Sequence, residues 1–424
     1  MIARIPGLGG LPVDFRRLWA STICSNLADG VIGITFALAA VRLTTDPFLV
    51  ASVAIAGGIP PVLLVLFAGV IADRVDRRRL LLGVQVARVV ALGGLALLGL
   101  LGGLSLPALV VGAFVLAAAQ TFYDTTAQAI LPMVAGDTAL IRANARLFAA
   151  EMLADTFIGP PLGGLLVAIG VPLALAGALL GYGLAAIGIL LLAGTFRIHR
   201  PGPSTSMRQE IAAGLDYLVR HRLQRTITAM VAMGSFASTA VFAVFVLYAV
   251  APGPMALSEV QYGLLLTAMG AGSLVGSTVT ERVERRLGTA RALVVSQVLF
   301  AAAFAVPAVT AEPLLVGLGF FVAGVSIMVW NVVNVSLRQR FIPPGLYGRV
   351  HAGHRLVSRA AGLAGGFAGG VIASTVGLTG VFWMAAAVVL LSALGGLVVN
   401  DRAVASAIAA ADPASRSVPS EGTS

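Results

Sequence analysis

Long apolar stretches restrict the fold of this chain more than any other feature. Only 11% of the 424 residues are charged and the mean hydropathy is +0.97, whereas a soluble protein carries roughly a quarter charged residues. Each stretch is close to the length of about 20 residues that crosses a bilayer as a helix. Segments 1 to 6 lie near residues 18–41, 48–71, 80–103, 107–130, 144–169 and 172–195, and segments 7 to 12 near 225–250, 258–280, 290–309, 313–337, 347–376 and 378–399.

A charged string recurs in the two halves of the chain. Asp73–Arg78 (DRVDRR) and Glu281–Arg286 (ERVERR) are 208 residues apart, and each follows the second apolar segment of its half. Repeated six-helix halves with a site at their interface are the architecture of secondary transporters. We therefore predict an all-α polytopic membrane protein with twelve transmembrane helices in two pseudo-symmetric six-helix bundles.

A polar stretch separates the halves. It opens with RPGPSTS, and Ile211, Leu215 and Leu218 then fall near helical spacing, which predicts a short amphipathic helix on the membrane surface. The predicted domains are a cytoplasmic N-terminal tail (1–17), an N-terminal six-helix bundle (18–195), a cytoplasmic linker with that helix (196–224), a C-terminal six-helix bundle (225–399) and a disordered cytoplasmic tail (400–424).

Arginine placement predicts the orientation in the membrane. Arginines cluster in both tails, in the central linker and in the loops after segments 2, 4, 8 and 10, whereas the alternate loops hold only Arg42. Positively charged loops stay in the cytoplasm. We expect a multi-pass protein of an inner or plasma membrane, embedded in the lipid bilayer, with both termini cytoplasmic.

Residue types exclude several functions. The chain has no lysine, so a Walker A loop and Schiff-base cofactors are excluded, and we expect no cofactor. His351 and His354 supply only two ligands, too few to predict a metal site. The arginines form no patch interleaved with aromatic residues, so we expect no nucleic-acid partner.

Acidic residues inside apolar segments are candidates for proton coupling, because they are costly in a bilayer and mark ion pathways. Asp29 lies about midway along segment 1 and is the first candidate, since a carboxyl group that gains and loses a proton could couple transport to a gradient. Asp124 is interpreted as structural, near the cytoplasmic rim.

Two further acids lie on segment 5. Glu151 and Asp155 are four residues apart and so share one helical face. They could exchange a proton or hold a cationic substrate. The alternative is structural pairing with Arg88, which lies well inside segment 3, or with Arg146.

At this point the sequence resembles the major facilitator superfamily. The loop reads Gly69-x-x-x-Asp73-Arg74-x-x-Arg77-Arg78, which matches the signature between the second and third helices of that superfamily. The twelve predicted segments and the degenerate second copy agree with it, so the resemblance covers about residues 14–400.

The resemblance extends to the drug- and metabolite-efflux branch, which includes macrolide efflux proteins and the enterobactin exporter. Three stretches carry it: Ser25–Gly30 in segment 1, Phe122–Pro132 in segment 4, and Ile141–Ala145. Segment 5 also holds the GPxxGG core of a motif associated with drug/proton antiporters, although Asp155 stands where that motif has an upstream glycine. The core residues are Gly159, Pro160, Gly163 and Gly164.

The resemblance implies a gating role for the charged loop. Asp73 would cap the N-terminus of segment 11 in one state and share Arg77 or Arg78; the alternative is a solvated loop that only sets orientation. The second copy has lost detail, so we expect it to contribute less. It comprises Glu281, Arg282, Arg285 and Arg286.

Family resemblance also implies a central cavity between the bundles, lined by segments 1, 4, 5, 7, 8, 10 and 11. Aromatic and amide side chains on these segments are candidates for substrate contact, although the amides could equally join helices. The candidates are Phe36, Tyr123, Phe242, Phe245, Trp330, Asn331 and Asn334.

The predicted function is a secondary active transporter that exports a small amphipathic molecule, such as a drug, antibiotic or secondary metabolite. We expect alternating access, proton antiport and a monomer. A proton-coupled importer of the same fold is the first alternative, and a non-transporting membrane receptor or membrane-bound enzyme is the second. The sequence contains no HExxH, GxSxG or lysine-based site that would favour an enzyme.

Overall fold

The computed structural model describes residues 12–136, 139–194, 196, 216–342, 344–400, 402 and 406. Within these residues the backbone is helical almost throughout, and the only extended pairing is one isolated bridge between Val250 and Leu257. The prediction of an all-α polytopic protein is confirmed. Most of the predicted amphipathic linker helix and of the tail after Asn400 lie outside the described residues, although 216–220 are helical.

Fourteen α-helices are described, with a π-helical turn after the sixth and a 3₁₀ turn after the last. They are α1 (Val13–Leu43), α2 (Pro47–Leu63), α3 (Val65–Arg74), α4 (Arg77–Leu100), α5 (Leu106–Ala135), α6 (Leu140–Glu151), the π turn (Met152–Ile158), α7 (Gly159–Ile169), α8 (Val171–Leu190), α9 (Arg222–Ala249), α10 (Glu259–Leu287), α11 (Thr289–Val309), α12 (Pro313–Phe341), α13 (Pro344–Thr375), α14 (Leu378–Ser392) and the 3₁₀ turn (Ala393–Leu397).

These helices cover all twelve predicted segments. In the described part of the chain, eleven helical stretches are long and apolar enough to cross a membrane, and segment 2 is the exception because it is divided at Leu64. Pro60 and Pro61 lie inside α2. A proline lacks the amide N–H and its ring crowds the carbonyl four residues earlier, so these two residues weaken the helix just before the break.

Several helices extend beyond the apolar stretch that predicts them. α1 begins at Val13 rather than 18, and α10 continues to Leu287 rather than 280. The added turns carry arginines such as Arg16 and Arg285. Long arginine side chains reach from a helix end to the polar headgroup region, so hydropathy alone places these ends too early.

The structure divides into two compact units. Unit 1 comprises Met1–Gly202, Phe242–Gly270 and Gly366–Leu378, and unit 2 comprises Pro203–Val241, Ala271–Gly365 and Thr379–Ser424. Unit 1 therefore includes parts of α9, α10 and α13 from the second half of the chain. The predicted bundle boundaries at 18–195 and 225–399 remain a prediction.

Small residues bring α1 close to α8 within unit 1. A Cβ atom added to Gly181 would lie 3.0 Å from the Cβ of Ala28, and one added to Gly188 would lie 2.9 Å from the Cβ of Ser21. The Ser21 hydroxyl also donates to the Ala185 carbonyl at 2.7 Å. Small residues at helix crossings allow this close approach in membranes. α4 packs beside both α5 and α8, and each of these two helices also packs against α1.

Glycines also allow close helix packing in unit 2. Gly276 of α10 faces α12, where an added Cβ atom would lie 2.8 Å from the Cβ of Met328, and Gly365 of α13 faces the Phe236 backbone of α9. At the end of α12 predicted to be cytoplasmic, Trp330 and Phe341 belong to an apolar cluster shared with α9, α11 and α13. The buried polar residues Asn334 and Arg338 alternate with the apolar cluster residues along this end of α12.

Candidate functional site

Asp29 lies near the middle of α1 and faces α4 and α8. The Tyr182 hydroxyl of α8 donates a hydrogen bond to Asp29 Oδ1 at 2.5 Å. Arg88 Nη1 of α4 lies 4.0 Å from Asp29 Oδ2, and the Arg88 side chain is fully buried. The first candidate for proton coupling is therefore part of a buried ion pair, and the close α1–α8 crossing positions Tyr182 to reach it.

Arg88 extends this pair across α4 to α5. Its Nη1 donates to Ser25 Oγ at 2.9 Å, and its Nη2 donates to Gln120 Oε1. Gln120 Nε2 in turn donates to Asp124 Oδ1 at 2.7 Å. A buried charge is tolerated when it is paired and hydrogen-bonded, so the two carboxylates and the amide together stabilise the guanidinium. Asp124 thus belongs to the network.

Two tyrosine rings flank the Arg88 guanidinium. Its central carbon lies 4.8 Å from the ring centre of Tyr182 and 5.1 Å from that of Tyr123. A guanidinium over an aromatic face is attracted by the ring quadrupole, most strongly where water is excluded. Tyr123, predicted as a cavity contact, is buried here and lies 3.4 Å from the Thr22 hydroxyl.

Some polar atoms of this network lack a partner. Among the described residues, Asp29 Oδ2, Arg88 Nε and Gln85 Oε1 are buried and form no hydrogen bond. Unsatisfied buried polar atoms are rare because each one costs free energy. A proton on Asp29 Oδ2 would convert this bare acceptor into a donor. The arrangement is thus chemically able to hold the carboxyl group in either protonation state.

Glu151 and Asp155 do not pair with Arg88. Glu151 ends α6 and is exposed, and Asp155 is half-buried in the π turn. Within the described residues neither forms an ion pair with Arg146 or any other cation, and Arg88 is instead turned toward Asp29. Asp155 nevertheless lies within electrostatic range of both Asp29 and Glu151. The structural pairing considered for these two acids is absent from the described part of the chain.

The π turn follows from the antiporter-like motif. Pro160 cannot donate to the carbonyl of Thr156, and its ring would crowd that carbonyl in a regular α-helix. The backbone widens instead, and the N–H of Gly159 bonds to the carbonyl of Ala154, five residues earlier. Single π turns of this kind are frequent at functional sites. This one places Asp155 beside α1.

The glycines of the motif are contact points between helices. A Cβ atom on Gly159 would lie 2.6 Å from Gly30 Cα of α1, and one on Gly163 would lie 3.0 Å from the Val31 carbonyl. Gly164 faces the backbone of Glu259 at the start of α10. The motif therefore allows α7 to pack tightly between α1 and α10 within unit 1.

The arginines of the charged loop bind carbonyl groups. Arg77 is buried and donates to the Ala129 carbonyl of α5 at 2.7 Å. Arg78 donates to the Leu190 carbonyl at 2.6 Å, at the end of α8, where basic side chains often satisfy the last carbonyls. Gly69 and Arg74 lie in α3, and Arg74 is exposed. The side chain of Asp73 lies outside what the structure describes, so its capping role stays a prediction.

Asp76 was not among the predicted site residues. It is the N-cap of α4, where Oδ1 accepts from the Arg79 N–H at 3.0 Å, and Oδ2 accepts from the Phe196 N–H at 2.8 Å. One carboxylate thus starts α4 and holds the chain after α8. Its position directly before a helical stretch indicates an N-cap from the sequence alone.

The second copy of the loop has a different structure. Its residues form the last turns of α10 rather than a loop, and all four predicted side chains are exposed: Glu281, Arg282, Arg285 and Arg286. Arg285 Nε lies 4.0 Å from Glu281 Oε1 in a solvent-accessible pair. Val75 and Asp76 break the helix in the first copy, whereas the helix continues through Val283 and Glu284 here.

Most predicted cavity residues of unit 1 are buried. Phe36 lies against Gly112 of α5, and Phe245 is fully buried with its ring centre 6.5 Å from that of Phe242. Phe242 is half-buried. Their contact with a substrate stays a prediction.

The predicted cavity residues of α12 lie in unit 2 and divide between two environments. Trp330 belongs to an apolar cluster, Asn331 is exposed, and Asn334 is buried with an Oδ1 atom that has no hydrogen-bond partner among the described residues. Since Asn331 and Asn334 are three positions apart, about 300° of helical rotation separates them and they point in different directions.

Comparisons with solved structures show the fold. The chain is 14% identical to the nucleoside transporter NupG, with 91% of this chain and 98% of that one covered at a TM-score of 0.72. It is 18% identical to a bacterial homologue of the iron transporter ferroportin in an inward-facing state, covering 91% and 98% at 0.69. It is 12% identical to a POT family transporter in complex with 5-aminolevulinic acid, covering 95% and 99% at 0.73.

A family model covers nearly the whole chain. No curated protein sequence matches, but the model described as transmembrane secretion effector matches residues 12–419. That family and the fold above are those of transporters, not of enzymes. The chain therefore belongs to the transmembrane secretion effector family of the major facilitator superfamily, and it is a secondary transporter.

Proposed function

We propose that this protein exports a small amphipathic molecule across the cell membrane in exchange for protons, as a monomer with both termini in the cytoplasm. The observation that carries this proposal is the Asp29 carboxylate. It is hydrogen-bonded to Tyr182, it faces the buried Arg88, and one of its oxygens has no hydrogen-bond partner among the described residues. Acidic groups in such positions are the usual proton carriers of transporters.

The ion pair supplies a coupling step. When Asp29 is ionised, its charge attracts Arg88 across 4.0 Å in a region with little water, where Coulomb interactions are strong. A proton arriving at Oδ2 removes that attraction, and Arg88 keeps its bonds to Ser25 and Gln120. The contact between α1 and α4 therefore weakens when the proton binds and strengthens when it leaves toward the cytoplasm.

Asp155 provides a second acidic group on the same side of α1. It lies in the π turn, and a Cβ atom added to Gly30 would lie 3.0 Å from its Cα. Asp155 is half-buried and within electrostatic range of Asp29. It can accept the proton from Asp29 through water or bind a cationic group of the cargo, and it forms no ion pair in the described chain that would prevent either role.

Contacts inside unit 1 support alternating access. The ends of α9, α10 and α13 that belong to this unit lie on the predicted non-cytoplasmic side, and they pack against the first half of the chain through Gly263 on Pro160 and Gly370 on Phe48. Arg42 and Glu259 form an ion pair on the same side. These contacts are what a state closed to the exterior requires.

Export is the direction that the family description favours. A secretion effector moves its cargo outward, and this agrees with the resemblance of segment 5 to antiporter motifs. An importer with the same fold is distinguished by the sign of accumulation, which the following experiment measures.

The test uses a bacterial host that lacks its own efflux pumps. Cells that produce the protein should accumulate less ethidium, or less of one member of a panel of labelled amphipathic antibiotics, and the difference should vanish when a protonophore collapses the gradient. Higher accumulation in producing cells would instead support import. If no compound moves either in cells or in liposomes made with purified protein, the proposal is wrong.

Substitution of Asp29 tests whether this residue couples efflux to protons. Asp29→Asn should abolish proton-driven efflux but retain exchange of labelled for unlabelled cargo, because exchange needs no net proton transfer. The matched control is Glu312→Gln, an exposed acid at the start of α12, which should behave like the wild type. Unchanged efflux by Asp29→Asn would remove this residue from the coupling mechanism.

A further inference from the structure

Arg338 of α12 is a buried cation without a counter-charge. The residue is 1% exposed, and its Nε and Nη2 atoms form no hydrogen bond with any described residue. No carboxylate of the described chain pairs with it. Uncompensated charges are very rare inside proteins because their desolvation is costly, so this arrangement indicates that a partner outside the described residues completes it.

The unsatisfied atoms of Arg338 have a specific geometry. Nε and Nη2 form one edge of the planar guanidinium, with two parallel N–H donors. That edge matches the two oxygens of a carboxylate or phosphate in a bidentate hydrogen bond. Both donors of the edge are vacant, whereas a guanidinium that served only to join helices would use them on neighbouring carbonyls.

Three further unsatisfied polar atoms occur on the helices around Arg338. They are Asn334 Oδ1, one turn earlier on α12, Gln224 Oε1 on α9, and His351 Nδ1 on α13. Gln224 Nε2 donates to Thr228 Oγ1 at 3.2 Å, and Thr228 lies 3.0 Å from His354 Nδ1. Polar groups from three helices are thus gathered in an otherwise apolar cluster. Bound water could donate to the two amide oxygens, Asn334 Oδ1 and Gln224 Oε1, which cannot themselves bind an anion.

The charges near this cluster are of one sign. Arg338 acts electrostatically on both His351 and His354, and the exposed Arg355 acts on His351. Concentrated positive potential with low-dielectric walls attracts anions. Tyr347 and His351 on α13 are half-buried, and their rings stack at 5.9 Å.

The region of the first half that is equivalent to Arg338 has no buried arginine on the same helix. Arg338 stands 209 residues after Ala129, the same offset as that between the repeated HAGHRL and RANARL strings at His351 and Arg142. In the first half, Arg77 is buried against α5 and donates to the Ala129 carbonyl. Arg77 thus has a backbone acceptor for Nη1 although its Nε forms no hydrogen bond with a described residue, whereas both Nε and Nη2 of Arg338 lack an acceptor among the described residues.

We propose that Arg338, supported by His351 and His354, forms a binding site for an oxyanion, either a carboxylate or a phosphate group. The site lies on the side that arginine placement predicts to be cytoplasmic. Two sources fit this chemistry: a free anion from the cytoplasm and the headgroup of an anionic lipid in the adjacent leaflet. The site does not depend on Asp29 or on proton antiport.

Thermal unfolding of the full-length protein tests the proposal and separates the two sources. The purified protein is placed in phosphatidylcholine nanodiscs with chloride or with inorganic phosphate at equal ionic strength, and separately in nanodiscs that contain phosphatidylglycerol. A ligand that binds only the folded state raises the melting temperature, here by about 2 °C or more. A rise with phosphate indicates a free anion, and a rise only with phosphatidylglycerol indicates a lipid headgroup.

Arg338→Gln assigns the effect to the site. This variant should not respond to either anion, and in chloride its melting temperature should equal or exceed that of the wild type, because a buried uncompensated charge is gone. Arg340→Gln, an exposed arginine two residues later, should respond like the wild type. The proposal fails if neither anion shifts the wild type more than Arg338→Gln, or if Arg338→Gln melts lower in chloride, as loss of a structural contact would cause.

Discussion

Arg42 Nη2 donates a hydrogen bond of 2.6 Å to Glu259 Oε1 and a second of 3.1 Å to the Val167 carbonyl. One guanidinium thereby joins the ends of α1, α7 and α10 in unit 1. Arg42 is the single arginine in the loops of the predicted non-cytoplasmic side, but nothing in the sequence pairs it with a residue 217 positions away.

The Arg42–Glu259 pair should make a small contribution to stability that depends on salt. Both side chains are partly exposed, and exposed pairs typically contribute about 0.2–1 kcal/mol. A double-mutant cycle of Arg42→Gln and Glu259→Gln in thermal unfolding should give a coupling energy in this range, and it should decline at high ionic strength. Additive effects of the two substitutions would show that the pair contributes nothing.

Tyr182→Phe should weaken proton-driven efflux without abolishing it. The substitution removes the hydroxyl that donates to Asp29 but keeps the ring beside Arg88. Loss of one hydrogen bond to a charged group corresponds to roughly 1.5–3 kcal/mol, or at least about tenfold in rate. Efflux of ethidium measures the effect, with Tyr217→Phe as control. A rate equal to that of the control would separate Tyr182 from coupling.

Gly159→Ala should destabilise the protein because α1 leaves no room for a methyl group. The added Cβ atom would lie 2.6 Å from Gly30 Cα, and overpacking of this kind costs about 1–3 kcal/mol. Gly33→Ala on the exposed face of α1 is the matched control, since nothing lies within 4 Å of its added Cβ atom. The control should be neutral or slightly stabilising, because alanine favours helix. Equal melting temperatures for both variants would contradict the close contact.

Asp76→Ala should lower stability through the loss of the α4 cap. The carboxylate accepts from the N–H groups of Arg79 and Phe196, and removal of an N-cap costs about 0.5–2 kcal/mol. Asp76→Asn keeps a side-chain oxygen at the cap and should lose much less. Thermal unfolding of both variants checks this order. If Asn is as damaging as Ala, the charge rather than the cap is responsible.

His221 should make stability depend on pH in the mildly acidic range. Its ring lies between those of Tyr217 and Phe341, at 5.3 and 5.4 Å, and its Nδ1 accepts from the Gln224 N–H at 3.4 Å. Burial lowers the pKa of His221 below its usual 6.5. The unfolded chain therefore binds a proton more readily than the folded chain, so this contribution is complete above pH 6.5 and declines as the pH falls below it.

The measurement for His221 is the melting temperature from pH 7.5 to 5. The wild type should lose more stability on acidification than His221→Asn, which keeps a capping side chain but does not titrate. Because both proteins share every other titratable group, the difference between their curves isolates His221. Parallel curves would show that its protonation does not affect folding.

Much of the architecture could be predicted from the sequence because the bilayer makes helical segments long and apolar. The same physics explains the errors. Hydropathy placed the end of segment 8 at 280, because Glu281 and Arg285 are polar, yet the helix continues to Leu287. The break at Leu64 was missed because Pro60 and Pro61 can either kink or end a helix.

The site was only partly predictable. Asp29 was identified because an acid inside an apolar segment is costly, but its partners depend on how α1, α4 and α8 cross. Gln85 and Arg88, three residues apart on one face of α4, indicate a polar contact, but Arg88 was considered only as a partner of Glu151 and Asp155. Tyr182 gave none, since a tyrosine in an apolar segment is compatible with any neighbour. Arg338 looked like an ordinary loop arginine until its burial was known.

The π turn at Met152–Ile158 has a consequence for comparing related chains. A π turn holds about one residue more than an α turn, and each residue of an α-helix rotates the chain by about 100°. Deleting one residue here would therefore turn α6 by that angle relative to α7. A sequence alignment without a gap in segment 5 would pair Glu151 with residues that point in another direction. The loss or gain of a single residue in this segment would change which acidic side chain faces α1.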